Sequence, residues 1–289
     1  MDGFTITPVE GLRSPIVVIA FTGWSDTGTV TADAAAHIIE TFGGERFLEV
    51  DPEEYYVFTD TRPSVHLVEG GERRIEWPRN EAFAIRRPDA PNDLIVVNGV
   101  EPNLRWRTFA ERMASAIAEH QPSLVCTLVA RPAATPHTRP IPITGSSADA
   151  NLAARYGLGR SMYQGPTGVV GVIHDALRER NAPLISLAAG VPHYLNVAEN
   201  PPATMALLKA FAGIAGYDIP MGELPELGDQ FLERVEEASA GDEQIQQYVR
   251  TLEEHYGEEE PEPEQPSDLP SADDVLRDIE DFLRGGNGD

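Results

Sequence analysis

The chain has 289 residues, 41% of them hydrophobic, and a formal net charge of −25. This composition is sufficient for a packed globular core, and no apolar run approaches the roughly 20 residues that a membrane span requires. The acidic balance, without a stripe of Lys and Arg, argues against nucleic-acid binding. The single cysteine, Cys126, excludes an internal disulfide and falls in an apolar run, so we expect a buried, inert thiol.

The opening segment, MDGFTITPVEG, has neither the basic region nor the apolar region of a secretion signal. It predicts a cytoplasmic protein.

Four short apolar runs are typical of buried central strands. They are Ile16–Thr22, Leu94–Asn98, Leu124–Ala130 and Leu184–Gly190. Helical periodicity follows them, with predicted helices at 30–42, 104–119, 148–156, 168–181 and 203–216. This βα alternation predicts an α/β fold in which helices cover both faces of a mostly parallel sheet.

Residues 47–87 interrupt the alternation and predict a β-rich insertion within an α/β domain at 1–221. FLEV at 47–50 and YYVF at 55–58 are interpreted as short strands. Val65–Glu69 and Glu72–Trp77 flank Gly70-Gly71 and predict a hairpin.

The sequence beyond residue 221 predicts an acidic helical extension. Residues 222–289 hold 22 Asp and Glu against 4 Arg, a net charge of −18. Two apolar stripes predict a helical hairpin at 222–256, with Gly241 suited to end the first helix and Asp242 to cap the second. A Pro/Glu linker at 257–270 and an amphipathic helix within 271–289 are expected to follow.

The predicted strands are followed by long loops and preceded by short ones. In a parallel sheet, ligands bind outside the carboxyl ends of the strands, so this asymmetry marks a functional edge. We expect Trp24, Glu101, His137 and His193 to cluster there.

The loop Gly23–Thr29 has the outline of a phosphate-binding loop, with Gly23 and Gly28 able to bring backbone N–H groups to an anion. It lacks the lysine of that motif, and Asp26 would repel phosphate. The alternative is that Ser25 or Asp26 caps the next helix.

His137 and His193 each follow a proline. With Glu101 and Asp26 they are candidates for an acid/base site, or for a His/carboxylate metal site. Alternatively, the histidines hold the proline-rich loops in shape. Further candidates for ligand binding are Trp24, Arg139, Gly165, Thr167, Gly168 and Tyr194, although Gly165-Pro166-Thr167-Gly168 is equally suited to a rigid turn. No cofactor is expected.

Seven short motifs, in order over about residues 4–220, resemble the proteasome assembly chaperone family in its bacterial, actinobacterial-type branch. They are FTGWSDTG at 21–28, DTRP at 60–63, GVEP at 99–102 with Arg105-Trp106, PHTRP at 136–140, GPTG at 165–168, VPHY at 191–194 and Asn200-Pro201.

The resemblance implies a fold similar to the nucleoside phosphorylase/hydrolase type, a helical C-terminal extension, homo-oligomerisation and no established catalytic residues. Some relatives dock on the proteasome through a terminal hydrophobic-Tyr-any tripeptide, whereas this sequence ends Gly286-Asn287-Gly288-Asp289. We therefore expect an assembly-chaperone-like protein with a protein partner, such as proteasome subunits. The alternative is a hydrolase or phosphorylase acting on a small nucleoside-like or amide substrate.

Overall fold

The computed structural model describes residues 3–68, 70–195, 198–240 and 243–257. The predicted capping residues Gly241 and Asp242, the predicted linker after Gly257 and the predicted terminal helix lie outside the described residues. The residues of Met1–Tyr256 form one compact unit, which includes both helices of the predicted helical hairpin.

The described strands alternate with helices along most of the chain. The strands are β1 (Phe4–Ile6), β2 (Ile16–Thr22), β3 (Glu45–Val50), β4 (Ser64–Leu67), β5 (Arg73–Glu76), β6 (Asn80–Ile85), β7 (Leu94–Val100), β8 (Leu124–Ala133), β9 (Ile143–Ser146) and β10 (Leu184–Pro192). The helices are α1 (Val30–Phe42), α2 (Trp106–Ala118), α3 (Ala150–Tyr156), α4 (Val169–Arg178), α5 (Pro201–Ala215), α6 (Leu224–Ser239) and α7 (Glu243–Glu254).

Eight strands form one mixed sheet in the order β1-β3-β6-β7-β2-β8-β10-β9. The central strands β7, β2, β8 and β10 are the four predicted ones and run parallel to one another. Antiparallel strands flank them, with β6, β3 and β1 on one side and β9 on the other. The predicted α/β class is confirmed, with the parallel part confined to the centre.

Two apolar cores cover the two faces of the sheet. In β2, Ile16, Val18 and Ala20 pack with α1 and α5, whereas Val17, Ile19 and Phe21 pack with α2 and α4. Successive side chains of a strand point to opposite faces, so a continuous apolar run such as β2 is suited to a position between two layers of helices. Cys126 lies in the first core, and burial raises the pKa of its thiol.

The predicted strand at Tyr55–Phe58 is wrong. A 3₁₀ helix, Pro52–Glu54, precedes these residues, and they form turns instead of a ladder. Tyr55 is fully buried and packs edge-on against Phe109, with ring centroids 5.3 Å apart. Burial as single aromatic side chains, rather than strand pairing, explains the apolar pattern.

The predicted hairpin around Gly70-Gly71 is present as β4 and β5, which form a separate two-stranded sheet. Both glycines have positive φ, 95° for Gly70 and 81° for Gly71, a region that side chains disfavour. Strands β1, β6 and β9 are additions that the sequence pattern did not predict.

Among the described residues, no helix combines the length and apolar character needed to cross a membrane.

Candidate functional site

The loops at the carboxyl ends of β7, β2 and β8 contact one another at the predicted edge. Glu101 follows β7, and its backbone N–H donates to the carbonyl of Thr22 at the end of β2 (2.9 Å). The loop after β2 crosses β8, because the N–H of Ala130 donates to Ser25 O (3.0 Å) and Thr27 Oγ1 donates to Ala130 O (3.1 Å). The edge is therefore bound together by loops that reach across neighbouring strands.

Glu101 lies at the amino terminus of α4. Its Oε2 accepts from the N–H of Val169, the first residue of the helix, at 3.3 Å. Burial raises the pKa of Glu101, while hydrogen bonds from the N–H groups of Val169 and Trp24 act in the opposite direction. A carboxylate is favourable at this end of a helix, so Glu101 joins the β7 loop to α4.

Gly23 and Gly168 allow the close approach around Glu101. A Cβ on Gly23 would lie 2.7 Å from the Cβ of Glu101, and one on Gly168 would lie 2.7 Å from its Oε2. Gly23 also has a φ of 123°, which side chains rarely adopt. These two predicted ligand-binding residues thus form the walls against which Glu101 packs.

Asp26 occupies the amino terminus of α1. Its Oδ1 accepts from the N–H groups of Thr27 and Thr31, each at 3.0 Å. The loop Gly23–Thr29 turns through Gly28, whose φ is 67°. Because the chain's own carboxylate takes the N–H groups that a phosphate would use, the capping alternative describes this loop.

The second oxygen of Asp26, Oδ2, is buried and has no hydrogen-bond partner in the described part of the chain. Burial raises the pKa of Asp26 to about 6, against the hydrogen bonds from the first turn of α1, which lower it. Ionisation of this carboxyl near neutral pH therefore opposes folding.

We expect Asp26 to make the protein less stable as the pH rises. Its folded pKa of about 6 exceeds the value of 3.8 for an unperturbed Asp, so the folded state binds more protons between these values. The contribution is fully present below about pH 4 and is lost as the pH rises through 6, a change of about 2 to 3 kcal/mol. Urea unfolding of the wild type and Asp26→Asn at pH 4, 5, 6 and 7 measures it. The wild type should lose stability relative to the variant, and parallel profiles would contradict the assignment.

His137 is held by Tyr194. The hydroxyl of Tyr194 accepts from the backbone N–H of His137 and lies within hydrogen-bond distance of its Nδ1, both at 2.7 Å. Since the hydroxyl already accepts from the backbone, its proton is available to Nδ1, which favours the tautomer protonated on Nε2. Burial lowers the pKa of His137, although the carboxylates of Glu236 and Glu253 raise it.

His193 is held at both ring nitrogens. Nδ1 lies 2.9 Å from the carbonyl of Ala133, and Nε2 lies 2.9 Å from the hydroxyl of Tyr248. A carbonyl only accepts, so Nδ1 donates, and neutral Nε2 accepts from Tyr248. Its backbone N–H also donates to Ala133 O at 3.1 Å. His193 therefore links β10, β8 and α7.

Four rings form a cluster that joins the helical hairpin to the sheet. The centroid distances are 5.9 Å for His137–Tyr194, 5.8 Å for His193–Tyr194, 5.7 Å for His193–Tyr248 and 6.0 Å for Tyr194–Tyr248. Helix α7 also contacts the proline-rich loop after β8, where Thr138 donates to Glu253. These contacts fit the alternative in which the two histidines hold the proline-rich loops in shape.

The structure thus places the predicted residues in two groups. Trp24, Asp26 and Glu101 contact the amino ends of α1 and α4, while His137 and His193 share contacts with Tyr194. The hydrogen bonds found at either histidine ring go to tyrosine hydroxyls and a carbonyl. Within the described ranges, no group of three or more His, Cys, Asp and Glu side chains is arranged to hold a metal ion.

The Gly165–Gly168 segment lies near the first group, whereas Arg139 lies in the same loop as His137 of the second. Gly168 is the residue before α4, and the Tyr163 hydroxyl donates to Pro166 O at 2.8 Å, which braces the turn containing Gly165 and Thr167. Arg139 is exposed in a turn of the loop after β8. These contacts fit the rigid-turn alternative for the Gly165–Gly168 segment.

A cavity of about 520 Å³ opens beside Glu101, lined also by Asp60, Thr61, Asn103 and Trp106. Neither histidine lines it. A second groove of about 560 Å³ contains Tyr194 together with α6 residues such as Phe231 and Val235. The histidines and the predicted carboxylates do not share either cavity.

Sequence reasoning did not find Tyr248. It lies in the apolar stripe of α7 and so signalled only helix packing, whereas its hydroxyl reaches a histidine 55 residues earlier. No local pattern indicates that contact.

The sequence profile of the PAC2 family matches residues 20–239. The chain belongs to the PAC2 family. The resemblance inferred from the motifs is thereby confirmed. The PAC2 match includes both residue groups and all of α6, and it ends before α7, so Tyr248 lies beyond the matched segment.

Solved structures of similar chains agree with this membership. A PAC2 family protein from Streptomyces avermitilis is 38% identical, with a TM-score of 0.74, over 81% of this chain and 99% of that one. A proteasome-assembly chaperone homologue from Mycobacterium tuberculosis is 35% identical, with a TM-score of 0.72 and the same coverage of 81% and 99%.

A more distant structure shares the fold. An archaeal proteasome activator from Pyrococcus furiosus is 19% identical, with a TM-score of 0.66, over 83% of this chain and 100% of that one. No curated protein matches the chain.

Proposed function

We propose that this PAC2 protein is an assembly-chaperone-like factor that acts by binding other proteins, with proteasome subunits as the partner class. Its similarity to the mycobacterial proteasome-assembly chaperone homologue supports the partner class. The proposal concerns contact rather than catalysis, because the histidines and carboxylates of the edge make their hydrogen bonds within the fold.

The observation that carries the proposal is the exposure of Trp24. Its side chain is 65% exposed at the functional edge, although its neighbours Ser25 and Phe21 are buried. Met162 and Tyr163 are 64% and 61% exposed, and Tyr163 braces the Gly165–Gly168 segment that Trp24 contacts. Large exposed aromatic side chains on a rigid frame are typical anchors of protein interfaces.

The hydrolase or phosphorylase alternative has no specific observation in its favour. It requires a histidine close to a carboxylate in one cavity, whereas Glu101 caps α4 and His193 supports α7. The side chains of Glu101 and His193 are therefore both used in contacts within the fold.

We also infer that the protein is a homo-oligomer whose assembly surface lies within 1–221. The insertion at 47–87 is rich in apolar residues, and its Tyr55 and Tyr56 are buried within the subunit, so they do not belong to that surface. Exposed apolar side chains of β4 and β5, in the same insertion, support the inference.

We expect Trp24→Ala to weaken binding to proteasome subunits by about 30-fold or more, because truncating an aromatic anchor typically costs at least about 2 kcal/mol. Leu227→Ala is the control, as Leu227 is also an exposed apolar side chain, 43% exposed, but lies on α6. Biolayer interferometry with purified proteasome subunits measures both.

Two results would count against the proposal in different ways. If the wild-type protein binds none of the purified proteasome subunits, the partner class is wrong. If it binds and Trp24→Ala binds equally well, the functional edge is not the contact surface.

A further inference from the structure

The β4–β5 hairpin has one apolar and one polar face. Val65 pairs with Ile75 and Leu67 pairs with Arg73, so these four side chains lie on the same face, and Trp77 continues it. Ser64, His66, Arg74 and Glu76 occupy the other face. The alternation is that of a strand pair with one face against a core.

This apolar face lies in solvent. All eight residues of β4 and β5 are exposed, including Val65 at 56%, Leu67 at 74% and Ile75 at 54%. A lone two-stranded hairpin is at best marginally stable in water, and it gains stability when its apolar face packs against another surface. The hairpin therefore requires a surface that its own compact unit does not supply.

A trough of about 650 Å³ lies between the base of the hairpin and α1. Its apolar lining includes Ala36 and Ile39 of α1 and Phe83 of β6. Its charged lining includes Glu40, Arg62, Arg79 and Glu81, of which Glu81 pairs with Arg46 and Glu40 is exposed. The trough thus combines an apolar floor with an exposed carboxylate at its side.

The charge of the hairpin indicates which surface it can pack against. Residues 62–79 contain 4 Arg and 3 Glu, a net charge of +1, whereas the whole chain has −25. Two copies of so acidic a chain repel each other except where the local charge is neutral or positive. Arg73, which shares the apolar face of the hairpin, is complementary to the exposed Glu40 beside the trough.

We propose that the apolar face of the β4–β5 hairpin packs into the α1 trough of a second copy of this chain. The inference rests on the proposed homo-oligomer and names its contact surface. A second copy supplies an apolar floor for the hairpin face and a carboxylate, that of Glu40, for Arg73. The reciprocal contact places the same two surfaces on each subunit, as closed symmetric assemblies require.

The test uses the full chain and measures its mass by light scattering across a concentration series. We expect Leu67→Asp to weaken self-association by about 100-fold or more, since a charge in a desolvated interface centre is strongly unfavourable. Leu227→Asp is the control, because Leu227 is also an exposed leucine but lies on α6. Thermal unfolding checks that each variant remains folded.

A second variant tests the trough independently of the hairpin. Ala36→Trp fills the trough from the half-buried side of α1 and leaves the hairpin unchanged. We expect it to be monomeric alone and to associate when mixed with Leu67→Asp, because such a pair retains one intact hairpin–trough contact.

The outcomes distinguish the proposed homo-oligomer from the proposed hairpin–trough contact. A monomeric wild type would overturn the proposed homo-oligomer itself. A wild-type oligomer that neither Leu67→Asp nor Ala36→Trp weakens would overturn the hairpin contact and leave the homo-oligomer standing. Failure of the mixture to associate would refute pairing of the hairpin with the trough.

Discussion

Replacing Asp93 by alanine is expected to lower the free energy of unfolding by about 2 to 4 kcal/mol, because it leaves the backbone N–H groups of Arg13 and Arg87 without their acceptor. Asp93 is 2% exposed immediately before β7. Its Oδ2 accepts from the backbone N–H of Arg13 (2.8 Å), and its Oδ1 accepts from that of Arg87 (2.8 Å) and from the Arg13 guanidinium (2.7 Å). One carboxylate thus ties together three segments at the amino ends of the central strands.

Asp175→Ala is the matched control, since Asp175 also pairs with an arginine, Arg178, but both side chains are more than half exposed. Exposed ion pairs contribute about 0 to 1 kcal/mol, so the control should stay near the wild type. Urea unfolding at pH 7 compares the three proteins. Equal losses from Asp93→Ala and Asp175→Ala would contradict the assigned role.

The carboxylate of Asp93 should also affect how the free energy of unfolding falls at low pH. Burial raises the pKa of Asp93, but hydrogen bonds from the Arg13 side chain and from the N–H groups of Arg87 and Arg13 prevail and lower it to about 2. With an unfolded value of 3.8, the stabilisation is present above about pH 4 and is lost as the pH falls through 2. The wild type should lose about 2 kcal/mol more than Asp93→Ala over this interval.

Gly99→Ala is expected to destabilise the protein by about 3 kcal/mol through crowding in the centre of the sheet. A Cβ at Gly99 would lie 2.0 Å from Asn80 Oδ1 and 2.8 Å from the ring of Phe21. Asn80 is not free to move aside, because its Oδ1 accepts from Val100 N at 3.0 Å and its Nδ2 donates to the Tyr56 hydroxyl. The added methyl group would break these hydrogen bonds or displace β7.

Gly213→Ala provides the control for a glycine-to-alanine change. Gly213 lies in α5, where a Cβ would meet nothing within 4 Å, and alanine there should stabilise by up to about 1 kcal/mol. A double-mutant cycle identifies the clash itself. Because Asn80→Ala removes the crowded oxygen, Asn80→Ala with Gly99→Ala should cost less than the sum of the single changes. Strict additivity in urea unfolding would rule out the Asn80 contact as the cause.

The helical hairpin has a defined relation to the PAC2 fold. Helix α6 falls within the family match and α7 lies beyond it, yet α7 supplies the hydroxyl that bonds His193 and the carboxylate that bonds Thr138. The loop after β8 is therefore held in this chain by an element outside the matched segment. Side chains of that loop are positioned by the helical hairpin as well as by the sheet.

The structure also changes the meaning of the functional edge. Loop lengths predicted one cluster of Trp24, Glu101, His137 and His193, whereas their described contacts form two groups. The reason is that each loop closes on its nearest helix terminus or tyrosine. Glu101 meets the N–H of Val169, and His193 meets Tyr248. Trp24 is left exposed, which is why it carries the proposed protein contact.

Local patterns were sufficient for the elements whose burial is uniform along the chain. The runs Ile16–Thr22 and Leu124–Ala130 are apolar throughout because helices cover both faces of the central strands, and their position and type followed from the sequence. The periodicity of α1 and the glycines of the β4–β5 turn were equally informative. Each of these patterns depends only on the environment of one segment, so the residues of that segment are enough to predict it.

Tertiary structure alone decided the contacts between segments far apart in the chain. The apolar residues Tyr55 and Tyr56 suggested a strand. Instead, Tyr55 packs against the ring of Phe109, and the hydroxyl of Tyr56 donates to the carbonyl of Val100. Asp26 and Glu101 could be recognised as polar residues at an edge, yet their roles as helix caps depend on which N–H groups lie opposite them. An apolar or charged residue shows that a partner is needed, and only the packing of distant segments determines which group that partner is.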